Sequence, residues 1–250
     1  MVPVSSVPAP RPKRSKAHVV IAMPVYGGMM RLECTRSLLH AFGRPRDDGH
    51  EAGWITNSLS SIRRARNELA TNFLGIPGAT HLLWIDADLS FPADAVPRLL
   101  AHDVDVVAGL YPMKQFPLHY PFTLRQTSTG ARVYWIQALS RPNSSPAASC
   151  SSSREVYLAL MEAFPERASP LGPRRHGADG PTFRTFDFYQ ELVDDGLVLP
   201  EDYSFCASWR SIGGTVWADL SIRLTHHGMH SFTGDPMSLI APAMQAGEAV

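Results

Sequence analysis

The string LLWIDADLSF, residues 82–91, constrains the fold of this chain more than any other feature. Leu82 to Ile85 form a short continuous apolar run, the pattern of a buried strand, and two carboxylates, Asp86 and Asp88, follow at once. In open α/β sheets ligands sit at the carboxyl ends of the strands, where these two acids fall. The flanking text alternates in the same way. Residues 18–23 are β-branched and read as a strand that runs into the loop Pro24-Val25-Tyr26-Gly27-Gly28, and 29–42 read as a helix. From Ser58 the stripe Leu59, Ile62, Leu69 and Phe73 has helical spacing, with Asn57 or Ser58 as the expected N-cap, and Arg66 falls on that stripe. A helix over 92–102 and a strand over 104–110 complete an alternation that predicts an α/β, doubly wound, mostly parallel sheet.

Beyond Tyr111 the pattern loosens. Residues 140–153 are rich in Ser, Pro and Ala and lack periodicity, so a mobile or loosely packed segment is expected there. Order returns with a helix over 155–164, a Gly/Pro/Arg loop, and a Phe-rich segment over 183–189. A helix over 203–212 follows, then a strand over 215–225 that leads into His226-His227-Gly228. The expected organisation is a basic, Pro-rich arm over 1–17, one domain over 18–235 and a tail over 236–250. The arm lacks the apolar stretch of a secretory signal, and no apolar window reaches the length of a membrane span, so any membrane contact would be peripheral. Lys plus Arg and Asp plus Glu each total 23, so a charged ligand must be held by local groups. Three widely spaced cysteines point to neither a disulfide framework nor a zinc site, and a reducing, cytoplasmic setting fits.

Asp86 and Asp88 are suited to a hard cation, which would bridge a diphosphate and stabilise its charge as it leaves. The competing reading is an acidic turn before the next helix. Arg63 and Asn67 share a helical face, while Arg66 on its apolar stripe requires a partner, either a phosphate or Asp86. Glu201 and Asp202 open a helix, where acids also serve the helix dipole. His226 shares a strand face with Leu220, Ile222 and Leu224, as a core or rim histidine does. A zinc site of His226, His227 and His230 lacks the supporting residues such a site requires. Lys114, after a strand end, is either a phosphate or sugar contact or a solvated lysine.

The blocks MPVYGG, SIRRARNELATNFL, THLLWIDADLSF, VVAGLYPMK and PEDYSFCASWRSIGGTVWADLSIRLTHHG, in this order, resemble a GT-A, family-2-like glycosyltransferase over most of residues 18–235. The resemblance implies a GT-A-like (Rossmann-like) sheet with an irregular acceptor-side region, a UDP- or GDP-sugar donor, and Mn²⁺ or Mg²⁺ held by Asp88 and His226. It places Pro24, Val25 and Tyr26 beside the base, and Arg63, Arg66 and Asn67 facing the nucleotide. It sets Asp86 on the ribose or an arginine, Asp202 as the base of an inverting transfer, and Glu201 as an orienting group. The acceptor stays open among a glycan, a lipid-linked sugar, a protein and a modified nucleic acid. Two rivals are a sugar-phosphate nucleotidyltransferase, which wants a Gly-rich loop with Lys or Arg after the first strand, and a non-catalytic nucleotide-sugar-binding protein. The family's block before the Arg154-Glu155-Val156 helix is an apolar strand, where this chain has serines. With permitted codons, residues 144–152 read in the neighbouring frame as Phe-Val-Pro-Gly-Arg-Phe-Met-Leu-Ile, which is strand-like, so the segment is either the product of two compensating frame changes or a genuine flexible lid over the donor.

Overall fold

The computed structural model describes residues 16–42, 51–120, 123–125, 133–138, 150–169, 174–175, 182–183, 185–194 and 196–239. The arm over 1–15, residues 140–149 and the tail beyond 239 lie outside them. Strand β1 (His18–Pro24) alternates strictly between two cores: Val20 and Ala22 face one, and Val19, Ile21 and Met23 the other. A strand with both faces apolar needs helices on both sides, and they are there. Helices α1 (Leu32–Phe42) and α3 (Ala95–Ala101) cover one face through Cys34, Leu38, Ala95, Val96 and Leu99. Helices α2 (Ile62–Gly75), α4 (Arg154–Ala163) and α5 (Glu201–Ser211) cover the other through Leu69, Phe73, Tyr157, Leu160 and Phe205. The helix α2 starts later than expected: Ser61, not Asn57 or Ser58, is its N-cap and accepts from the Arg64 N–H at 3.4 Å.

The remaining strands are β2 (Glu51–Asn57), β3 (His81–Trp84), β4 (Leu89–Ser90), β5 (Val106–Gly109), β6 (Thr123–Arg125), β7 (Val133–Ala138) and β8 (Cys150–Ser153). Two short ribbons follow, β9 (Arg174–Arg175) with β10 (Thr182–Phe183) and β11 (Val193–Asp194) with β12 (Leu197–Val198), and then β13 (Trp217–Asp219), β14 (Thr225–His227) and β15 (Ser231–Thr233). The main sheet runs β2-β1-β3-β8-β5-β13-β7-β6. Strands β2, β1, β3, β5 and β13 share one direction, while β8 and β7 run against them. The sheet is therefore mixed, with most of its strands in one direction as expected and β8 and β7 reversed among them.

The expectation for the serine-rich segment fails at its end. Cys150–Ser153 is not loose but a fully buried strand at the sheet's centre, hydrogen-bonded in register to Leu82 and Leu83 on one side and to Val106 and Val107 on the other. The two ladders satisfy the backbone, and small side chains fit between aliphatic neighbours without strain. Ser152 faces the Tyr157 side and lies 3.8 Å from Cys150 Sγ, whereas Ser151, opposite Leu83 and Val107, faces the other core. A β-branched aliphatic fits that slot better by strand preference and apolar burial. Ser151→Val is expected to add about 1 kcal/mol, or roughly 2–4 °C in the melting temperature for a chain of this size. A lower melting temperature would mean that the hydroxyl itself is needed.

The strand expected over 215–225 is also divided. β13 joins the main sheet, the chain turns through the buried Leu220, Ile222 and Leu224, and β14 enters a separate three-stranded sheet, β15-β14-β4. All three cysteines are buried and free. No described helix is long and apolar enough to cross a membrane.

Candidate functional site

The small sheet builds the site. Strand β4 starts directly after Asp88, and β14 pairs with it antiparallel so that His226 stands opposite Leu89. The His227 N–H donates to the Asp88 carbonyl at 2.8 Å, which fixes the two segments together. His226 Nε2 comes to 3.6 Å from Asp88 Oδ1. Its Nδ1 lies 3.1 Å from the Pro112 carbonyl, an obligate acceptor, so Nδ1 carries the proton and Nε2 is turned toward Asp88. The Tyr111 ring meets the imidazole edge-on at 4.8 Å. Lys114 Nζ donates to the other oxygen, Asp88 Oδ2, at 2.5 Å. Burial pushes the Asp88 carboxyl up, but the neighbouring His226 and Lys114 outweigh it and hold the pKa at about 2.

A second cluster sits alongside. Arg66 is buried on α2, as its place on the apolar stripe requires, and its partners are protein carboxylates. Nε donates to Glu201 Oε1 at 3.1 Å and Nη2 to Asp86 Oδ1 at 3.4 Å. Its guanidinium also lies 5.1 Å from the Trp84 ring and 5.9 Å from the Tyr189 ring. Burial raises the Asp86 carboxyl to about 6 despite Arg66, with the neighbouring Asp88 adding to the rise. The two acids of the D-x-D string are therefore shifted in opposite directions by different surroundings.

These groups open onto a cleft of about 730 Å³ at the carboxyl ends of β1, β3 and β5, lined by Pro24, Tyr26, Arg66, Asp86, Asp88, Glu201 and His226 among others. Tyr26 is 72 % exposed at its mouth, which is not how a core tyrosine sits. Of the residues expected to bind the donor, four do not line the cleft: Lys114 meets it only through Asp88, and Val25, Arg63 and Asn67 point elsewhere. Val25 is buried in the core beside α1. Arg63 forms a two-point ion pair with Asp187, and Asn67 donates to the same Asp187 at 2.6 Å while accepting from the Tyr189 N–H at 3.0 Å. Those two residues fasten the aromatic segment Phe186, Phe188 and Tyr189 to α2. Their partner lies more than 100 residues away, so helical spacing alone revealed the shared face and not what it meets.

The acidic pair that opens α5 divides. Glu201 reaches the cleft, while Asp202 is 6 % exposed and accepts from the Tyr203 N–H at 2.8 Å. Arg31 is a cleft residue that the sequence reading did not single out. Its backbone N–H bonds the Ala87 carbonyl at 2.9 Å and its Nη2 the Gly228 carbonyl at 2.8 Å. Its signal was its place just after Gly27 and Gly28, both at positive φ. His227 faces Ser90 and Ser231, and His230 meets Phe116 and Phe232 edge-on, so neither joins His226.

Asp88 Oδ1 and His226 Nε2 suit one cation: neighbouring ligands of an octahedral Mg²⁺ stand about 3 Å apart, a small adjustment from 3.6 Å. Among the described residues no third His, Cys, Asp or Glu completes a cluster of three, so the remaining ligands would come from substrate phosphate and water.

The chain matches no family model, and no curated protein matches it. Among solved structures it is similar to the crystal structure of A197 from STIV, at 15 % identity over 84 % of this chain and 86 % of that one, with a TM-score of 0.46.

Proposed function

We propose that this chain is a GT-A-type, metal-dependent glycosyltransferase that takes a sugar from a UDP- or GDP-sugar. The observation that carries this reading is the convergence of Asp88 Oδ1 and His226 Nε2, 3.6 Å apart, beside a cleft at the strand ends. Asp88 and His226 would hold Mn²⁺ or Mg²⁺, which when bound neutralises the charge that grows on the leaving diphosphate. Tyr26 offers an aromatic face for the base, with Pro24 beside it, and Asp86 stands within the cleft for the ribose. In a single displacement the acceptor oxygen bonds to the anomeric carbon, the bond to the diphosphate breaks with its electron pair, and a carboxylate takes the acceptor proton. Inversion follows from the family resemblance. Glu201 is assigned the proton on geometry, because it is the member of the acidic pair that lines the cleft. Asp202, the base expected from the resemblance, is the buried member of the pair and accepts from the Tyr203 N–H.

The paired variants separate these roles. Glu201→Gln is expected to keep nucleotide binding and lose about 10²-fold or more in transfer, with Asp202→Asn within about ten-fold of the parent. The opposite ranking returns the base to Asp202. A second reading, a sugar-phosphate nucleotidyltransferase, draws on Arg31 following two glycines at positive φ beside the cleft. It requires a nucleoside triphosphate and a sugar phosphate and releases pyrophosphate. Incubation with UDP- and GDP-sugars plus Mn²⁺ tests both: release of nucleoside diphosphate supports transfer, whereas pyrophosphate release from the triphosphate pair supports the rival.

A further inference from the structure

The carboxylates of the cleft already have protein cations as partners. Asp86, Asp88 and Glu201 line it together with Arg31 and Arg66, and Lys114, beside the lining, pairs with Asp88. Two of those cations are tied elsewhere: Arg66 joins Asp86 and Glu201, and Arg31 holds the Gly228 carbonyl. Lys114 is the cation seated on the candidate metal ligand itself, at Asp88 Oδ2. Its stem is positioned rather than loose. It runs over Gly228, where an added Cβ would meet Lys114 Cδ at 3.2 Å, and it leaves from the same loop whose Pro112 carbonyl orients His226.

We propose that Lys114 is an internal counter-ion that makes cation binding at Asp88 and His226 depend on a nucleoside diphosphate; the inference rests on the donor reading above. With Lys114 on Oδ2, a divalent cation entering alone at Oδ1 and Nε2 meets a carboxylate already paired with a neighbouring ammonium. It therefore binds weakly. A nucleoside diphosphate brings negative charge, supplies further oxygen ligands to the cation, and gives Lys114 a second anion within reach. Cation and diphosphate then bind as a unit, and by linkage each raises the affinity of the other by the same factor. In the empty protein Lys114 also keeps Asp88 from facing Asp86 unpaired.

The test is a Mn²⁺ titration of the full chain, followed by the electron paramagnetic resonance signal of free Mn²⁺, with and without UDP or GDP. It is run on the parent, Lys114→Gln and Lys114→Arg. The parent is expected to bind Mn²⁺ weakly alone and at least about ten-fold more tightly with the diphosphate, the lower range of ordinary coupling. Lys114→Gln, which takes the ammonium away from Asp88, should bind Mn²⁺ alone at least about ten-fold more tightly than the parent and lose most of the coupling. Lys114→Arg should behave like the parent. Lys114 is half-exposed, so its variants are expected to fold, and a circular dichroism melt confirms it. Unchanged or weaker Mn²⁺ binding by Lys114→Gln alone, or undiminished coupling in that variant, overturns the inference while leaving the donor reading intact. Failure of the parent to bind either diphosphate overturns the donor reading, and the coupling with it.

Discussion

Asp88→Ala is expected to abolish Mn²⁺-dependent binding of the nucleoside diphosphate while leaving the fold in place. The side chain is a surface of the cleft rather than of either core, so its removal opens no cavity in the packing. What it removes is the anionic half of a two-residue ligand set. His226 alone, held by Pro112 and Tyr111, is a single ligand and cannot retain a hard cation against water. The variant also frees Lys114, which cannot replace the cation's coordination geometry. A diphosphate held at about one hundred times its dissociation constant stabilises the parent by about 2.7 kcal/mol. For a chain of this size that is roughly 5–10 °C in melting temperature, and Asp88→Ala should show none of it. A parent-like, Mn²⁺-dependent shift in the variant would remove Asp88 from the metal role.

Arg66→Met should produce the largest loss of stability of any single change in the cleft. The guanidinium is buried, it bridges Asp86 and Glu201 from two sequence-distant elements, and it lies against Trp84 and Tyr189. Methionine fills much of the volume but leaves two carboxylates facing each other without a cation. Removing one partner of a buried ion pair costs about 3–5 kcal/mol, because the remaining charge is stranded. Against a typical stability of about 5–15 kcal/mol, that is about a fifth of the total or more. Urea unfolding followed by circular dichroism measures it. A change below about 1 kcal/mol would mean that the triad is effectively solvated. Arg63→Ala is the useful contrast, since the Arg63 side chain is 40 % exposed and its pair with Asp187 lies outside the cleft, so a much smaller cost and unchanged nucleotide binding are expected.

Much of this cleft was legible in the sequence, because periodicity reports burial along one strand or helix. The run Leu82 to Ile85 marked β3 and the placement of Asp86 and Asp88, and the apolar stripe of α2 marked Arg66 as a buried cation in need of partners. Pairings between distant segments were not legible. Nothing local tells Asn67 that Asp187 will meet it, or tells Asp202 that it will turn back to its own helix while Glu201 faces out. Strand β2 was missed because it is an edge strand among the described residues. It has one neighbour, a half-exposed pattern and Gly53 and Asn57 within it, so neither alternation nor a continuous apolar run appears. Strand β8 was missed for a different reason. Its position between β3 and β5 is dictated by the ladders on either side, and serine carries no hydrophobic signal. The encoding nucleotides decide whether those serines arose by paired frame changes: the idea fails if the alternative frame does not spell an apolar strand.

The measurement that bears most directly on a metal-assisted donor site at Asp88 and His226 is turnover of UDP- and GDP-sugars by the parent, Asp88→Ala and His226→Ala, with Mn²⁺ and with EDTA. The expected result is slow release of nucleoside diphosphate and free sugar by the parent from one of the donors, water serving as acceptor, with the activity lost in EDTA and in both variants. Equal release in EDTA, or undiminished release by Asp88→Ala, would contradict a site built on these two residues.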